Sequence, residues 1–121
     1  MTNQAEFIAT TVDGVSVVAI HGEVDIANVE ALRLCLEKVG EEQGAGLVVD
    51  LTRATYFDSR TIALLADFAT KMRAQRQRLA LVAPANGFAA RILRIAGLLL
   101  IVPAFESTGS ALNSVKQPTG T

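Results

Sequence analysis

Gly46-Leu47-Val48-Val49-Asp50-Leu51, followed by Thr52 to Tyr56 and then by Phe57-Asp58-Ser59, is the stretch that decides how this chain folds. The first six residues read as a buried strand, and Thr52 to Tyr56 as a short loop. Beyond Ser59, residues Ile62, Leu65, Ala69 and Met72 recur at helical spacing, which predicts a helix running to about Gln77. Asp58 is placed to cap that helix, and Ser59 to open it. A hydroxyl at such a junction sits on the positive end of a helix and is exposed on a rigid platform. It is a good place to add or remove a phosphate.

Working outward from this stretch gives the order of elements. Phe7 to Val12 and Val15 to Ile20 are β-rich runs on either side of Asp13-Gly14, a strong two-residue hairpin signal. Gly22-Glu23-Val24-Asp25 follows, and then a helix with Val29, Leu32, Leu36 and Val39 on one face, which Asp25 or Asn28 could cap. Gly40 to Gly46 ends that helix. On the far side, Leu79 to Ala83 is a strand that stops at Pro84, and Asn86 can cap a helix reaching Ile95, ended by Gly97. Leu99 to Val102 is a candidate short strand, Glu106 to about Lys116 a weak last helix, and 117–121 a frayed tail. Strand–helix–strand units imply parallel pairing through right-handed crossovers. The expected fold is α/β: a small mixed β-sheet, made of an N-terminal hairpin and then parallel strands, with helices mainly on one face. Residues 1–121 fit a single domain with a core over about 7–115.

Composition narrows the function. Half of the residues are apolar and 19% are charged, as in an ordinary globular protein. The longest apolar run, Gly97 to Ala104, holds Pro103 and is far too short to span a bilayer. The N-terminal residues lack the basic region and apolar core of a signal peptide, and the one cysteine, Cys35, rules out an internal disulfide. Both features point to a reducing, cytoplasmic compartment. The formal charge of −1 conceals an asymmetry, with a net −7 over residues 1–58 and +6 over 59–121. Its late bases gather at Lys71, Arg73, Arg76 and Arg78 and at Arg91 and Arg94; they read as solvated helix faces that can also orient a charged protein partner. Few bases are interleaved with aromatics, which argues against nucleic-acid binding.

Other candidate sites have plain readings. His21 closes a strand with no cysteine cluster near it in sequence, so no metal site is expected. Cys35 falls beside Leu32, Leu36 and Val39 at helical spacing and reads as core. Gly44-Ala45-Gly46 lacks the lysine and the spacing of a phosphate-binding loop. Glu23 and Asp25 read as turn-fixing carboxylates, because no nucleophile or cofactor motif accompanies them. No cofactor and no enzymatic activity are expected.

Together these residues resemble the STAS domain family, which includes anti-sigma factor antagonists, over about Phe7 to Leu112. Gly22-Glu23-Val24-Asp25 is similar to the family's signature after its second strand, and Val49-Asp50-Leu51 with Tyr56-Phe57-Asp58-Ser59 to its strand and phosphoacceptor loop. Leu79 to Pro84, Arg91-Ile92-Leu93 and Ala96-Gly97-Leu98 are similar to its fourth strand and third helix. The resemblance implies a partner switch in transcription regulation and stress response. The unmodified antagonist binds an anti-sigma factor that is also a GHKL-type serine kinase. The kinase phosphorylates the serine after the loop aspartate, here Ser59, and the complex falls apart; a serine phosphatase resets it. The implied partner surface holds Glu23, Asp25, Asp58, Arg60 and Thr61. Antagonists usually carry a small residue and a glycine where this chain has Arg60-Thr61. Arg60 sets a fixed cation beside the acceptor, able to pair with a phosphate or with Asp58, and Thr61 supplies a second hydroxyl. That departure motivates an alternative expectation: a non-switching STAS module serving as a structural subunit of a transport or stress-signalling complex.

Overall fold

In the computed structural model, which describes residues 5–41 and 44–116, two chain segments that alternate or run apolar become the centre of one sheet. The described residues form β1 (Glu6–Val12), β2 (Val15–Val24), α1 (Val29–Gly40), β3 (Gly46–Asp50), β4 (Ala54–Phe57) and α2 (Ser59–Ala74). They continue with β5 (Arg78–Val82), α3 (Phe88–Ile95), a 3-10 turn at Leu98–Leu100, β6 (Ala104–Phe105) and α4 (Thr108–Lys116). The strand order is β1-β2-β3-β5-β6, with β4 set against β2 off this path. Only β1 and β2 pair antiparallel; the other pairs are parallel. Asp13 (φ 52) and Gly14 (φ 79) are both in the left-handed region, as a tight hairpin turn with the strands' own twist requires.

The core explains why the parallel strands are apolar throughout. Val18, Ile20, Leu47, Val49, Leu79 and Leu81 point to one face, where α1, α2 and α3 cover them with Leu32, Leu36, Leu65, Phe68 and Leu93. The alternate residues Val15, Val17, Val48, Ala80 and Val82 point to the other face, against Ala111, Leu112 and Val115 of α4. Strands buried on both sides lose the polar half of the alternation. Three helices on one face and one on the other give the expected architecture. The strands also approach closely: a Cβ on Gly46 would lie 2.0 Å from the Arg78 carbonyl oxygen, so glycine alone fits where β3 starts beside β5.

The structure corrects several boundaries. The segment expected to be a loop at 52–56 contains β4, because β2 does not stop at His21 but runs on to Val24 and offers pairing partners. The Gly22–Val24 motif therefore lies within the second strand instead of after it. Leu99 to Val102 is not a strand; Gly97, at φ 79, ends α3 and sends the leucines into a 3-10 turn, and the edge strand forms later at Ala104–Phe105. Asn86 is not the cap of α3, since the helix starts one residue later from Gly87, whose N–H donates to the Pro84 carbonyl at 2.9 Å. Cys35 is half-buried, packed against the core edge. The tail at 117–121 lies outside the described residues.

Candidate functional site

The site forms where β2 and β4 end together. Between Ser16↔Leu47 and Ala19↔Asp50 the strands β2 and β3 run in one register, and pairing resumes at Gly22↔Ala54 after Leu51-Thr52-Arg53. A second slip then skips Thr55, so that Glu23 faces Tyr56 and Val24 faces Phe57. The Gly22 N–H donates to the Arg53 carbonyl at 3.0 Å and holds the first irregularity. Such bulges re-aim a strand end. Here they bring the Glu23–Asp25 motif, thirty-odd residues away in sequence, alongside Phe57-Asp58-Ser59.

Each side of that end is held by short polar contacts. After β2, the Asp25 N–H donates to Asn28 Oδ1 at 2.9 Å, and the Ala27 N–H to Asp25 Oδ1 at 2.9 Å. Asn28 Nδ2 donates to the Glu23 carbonyl at 2.9 Å. Asp25 and Asn28 thus fix the turn, and neither side chain caps α1. Among the described residues the Glu23 carboxylate has no side-chain partner, and it remains half-exposed.

On the other side, Asp58 is the N-cap of α2. Its Oδ1 accepts the Arg60 N–H at 3.0 Å, satisfying one of the donors a helix start leaves open. Its Oδ2 accepts Arg60 Nη1 at 2.8 Å, so the cation expected beside the acceptor pairs with the aspartate. Ser59, the first residue of the 16-residue α2, is exposed. Phe57 anchors the approach: it is buried, and its ring meets that of Phe88 edge-on at a centroid distance of 5.4 Å. The loop that leads into α2 is therefore clamped between a cap and an aromatic contact.

Thr61 departs from its expected place. Its side chain is 0% exposed and so does not present a surface or a second accessible hydroxyl. Its Oγ1 is buried without a hydrogen-bond partner among the described residues. Such an orphan hydroxyl is uncommon in a folded protein. It occupies the position where antagonists usually carry a glycine, a residue with no polar side chain to bury.

Sequence reasoning missed the apolar rim. Ile26, Tyr56 and Phe88 are 69%, 45% and 37% exposed, next to Asp25, opposite Glu23 and against Phe57 respectively. Reading 54–57 as a strand would have found Tyr56, because alternation with buried Phe57 leaves it outward, while the slip at Thr55 breaks the alternation with buried Ala54. No group of His, Cys, Asp or Glu among the described residues is arranged to hold a metal ion. No described helix is long and apolar enough to cross a membrane.

The STAS domain profile matches residues 6–111. Among solved structures, an anti-sigma factor antagonist from Mycobacterium paratuberculosis superposes with a TM-score of 0.85 at 25% identity, covering 94% of this chain and 96% of that one. The antagonist SpoIIAA in its unphosphorylated form is similar at a TM-score of 0.75 and 18% identity, covering 92% of this chain and 96% of its own. The Bacillus cell-fate determinant SpoIIAA in the phosphorylated form is similar at 0.65 and 18%, covering 95% and 100%. At that identity the two share the fold. No curated protein matches the chain.

Proposed function

The chain belongs to the STAS domain family, and from that premise we propose that it is an anti-sigma factor antagonist, a binding module and not an enzyme. Its partner is an anti-sigma factor with GHKL-type serine kinase activity, which phosphorylates Ser59 and so releases itself; a serine phosphatase restores the unmodified form. The observation that carries this reading is the exposed Ser59 hydroxyl at the start of α2, behind the Asp58 cap. The binding surface comprises Glu23, Asp25, Asp58, Ser59 and Arg60 with the apolar rim of Ile26, Tyr56 and Phe88. Soluble, cytoplasmic action is part of the same reading.

The physics is suited to a switch. Phosphorylation adds about −1.5 to −2 charges and three acceptor oxygens. At a helix N-terminus the fold tolerates that dianion, while the surface changes sign. Arg60 is then drawn between two anions, Asp58 and the phosphate, and charge-assisted pairing favours the latter's three oxygens. The cap bond from the Arg60 N–H to Asp58 does not depend on the guanidinium, so α2 keeps its start when Arg60 turns.

The test is an affinity capture from host lysate with wild type and Ser59→Asp side by side, with bound proteins identified by mass spectrometry. A GHKL-type ATPase held by wild type and lost from Ser59→Asp is the expected result. Equal capture of that partner by both variants would sink the switch. A second reading, a non-switching structural subunit, is favoured by the Arg60–Asp58 pair and by buried Thr61, which already occupy the loop. It requires Ser59→Ala and Ser59→Asp to behave alike, with a transporter or scaffold protein as the captured partner.

A further inference from the structure

We propose that the corner where α3 ends and the 3-10 turn begins docks reversibly on an anionic lipid surface. The chain is one-signed there: no Asp or Glu occurs between Asp67 and Glu106, an interval that holds Arg73, Arg91 and Arg94. The outer face of α3 carries Arg91, Arg94 and Ile95, which fall together at helical spacing and are all exposed. Gly97 then turns the chain, and Leu100 and Ile101 follow. Ile95, Leu100 and Ile101 are 77%, 92% and 42% exposed. Single exposed aliphatic residues are ordinary on a protein surface. Three within seven residues, beside cations, form a distinct amphiphilic patch.

The fold holds this patch outward. The Gly97 N–H donates to the Arg94 carbonyl at 3.1 Å, the Leu100 N–H to Gly97 at 3.2 Å and the Ile101 N–H to Leu98 at 2.9 Å. Leu98 and Val102 are buried and seat the turn in the core, so Leu100 between them is directed away from it. Arg73 Nη2 reaches from α2 to the Ile101 carbonyl at 3.1 Å and stands beside the turn. Arg94 Nη2 donates to the Ala85 carbonyl at 3.5 Å. Arg91 makes no side-chain hydrogen bond or ion pair among the described residues. Glu106, the acid that ends the interval, accepts the Ala85 N–H at 2.7 Å.

The chemistry fits a bilayer better than a folded partner. A side chain such as Leu100, which touches little of its own chain, needs either a preformed pocket or a surface that yields around it. Acyl chains yield. Arginine stems lie along the acyl boundary while their guanidinium groups stay among the phosphates, which they pair with bidentately. With only eight residues, α3 offers a short apolar edge, and Leu100 and Ile101 lengthen it. The net charge is −7 over residues 1–58 and +6 over 59–121, so an anionic surface attracts one part of the molecule and repels the other, which orients it. Three aliphatic side chains and three arginines give weak, reversible attachment and not insertion.

The inference goes beyond the antagonist reading and does not rest on it. Sedimentation of the full chain with vesicles, either of phosphatidylcholine alone or of equal parts phosphatidylcholine and phosphatidylglycerol, tests it. The anionic vesicles are expected to bind at least about tenfold tighter than the neutral ones, and added salt to weaken that binding. Leu100→Ser should weaken it about tenfold with an unchanged thermal midpoint, because the side chain is exposed. Arg91→Gln should weaken it about fivefold, whereas Lys38→Gln, which removes an exposed base of α1, should leave it unchanged. Ser59→Asp should bind vesicles as wild type does, whatever becomes of its protein partner. Absence of vesicle binding, equal binding to both vesicles, or equal losses from Arg91→Gln and Lys38→Gln would each overturn the site. So would self-association abolished by Leu100→Ser, which would make the corner a contact between two copies.

Discussion

The two ends of α2 carry charge in opposite ways. At its start, Asp58 caps the helix and is paired with Arg60, so the charges beside Ser59 are balanced. At its finish, Arg73 and Arg76 stand with Arg78 around a pocket without a carboxylate among its described lining. A balanced end is poised to be unbalanced by one phosphate. The positive pole of the helix at Ser59 favours that phosphate, whereas its negative pole near Arg76 favours the cations there. What separates the ends is the group that each contact offers the guanidinium: the Asp58 carboxylate for Arg60, and the Ile101 and Ser114 carbonyls for Arg73 and Arg78.

The comparison breaks most completely if α2 loses its seat. Leu65 is 0% exposed in the middle of the helix, and Leu65→Ala should cost about 3 kcal/mol, read as a lower urea midpoint with an unchanged slope. Partner binding at the Ser59 end should weaken with it. Next in size is Ser59→Asp, which should reduce partner affinity at least tenfold, about 1.4 kcal/mol, and leave the urea midpoint within experimental error. A changed midpoint would mean that the start of α2 had been damaged, not switched.

Two substitutions sharpen the contrast by improving the fold at either end. Thr61→Val keeps the shape and removes the orphan hydroxyl, and should stabilise by about 1 kcal/mol in chemical denaturation. Arg76→Gly should stabilise by about 1 kcal/mol by relieving the positive φ. No gain at Thr61 would show that its hydroxyl has a partner in solution. The smallest effect lies away from both ends. Burial pushes the Cys35 thiol above its ordinary pKa, despite the nearby Lys38 charge. Its thiolate fraction at pH 8 is therefore reduced, and iodoacetamide should alkylate it more slowly than free cysteine and recover at higher pH.

How far the fold could be read in advance follows from where the information is local. Asp13-Gly14 and the apolar runs around it fix the hairpin, because glycine and aspartate supply the φ values the turn needs. Asp58 was legible as a cap for the same reason: its carboxylate reaches a donor two residues away. β4 was not, since Ala54–Phe57 is a strand only because the end of β2 lies beside it. Three leucines at 98–100 have no local marker for a 3-10 turn except the glycine before them. The charge cluster at Arg73, Arg76 and Arg78 was visible as composition, whereas its convergence on one pocket depends on Ile101 and Ser114 arriving from far along the chain. Thr61 was misplaced because a polar residue in a first helical turn ordinarily faces water.

Among the described helices α4 alone covers the sheet's second face, which has a consequence for biosynthesis. Val15, Val17, Val48, Ala80 and Val82 are all made before Thr108–Lys116, the last of the described elements to be translated. At about 5–20 residues per second, the emerging chain spends a second or more with that face bare. During this interval it is a sticky intermediate, dependent on chaperones or on a rapid finish. A stop codon just before Thr108 would make the condition permanent, and the product is expected to accumulate in inclusion bodies even though every residue of α2 is present.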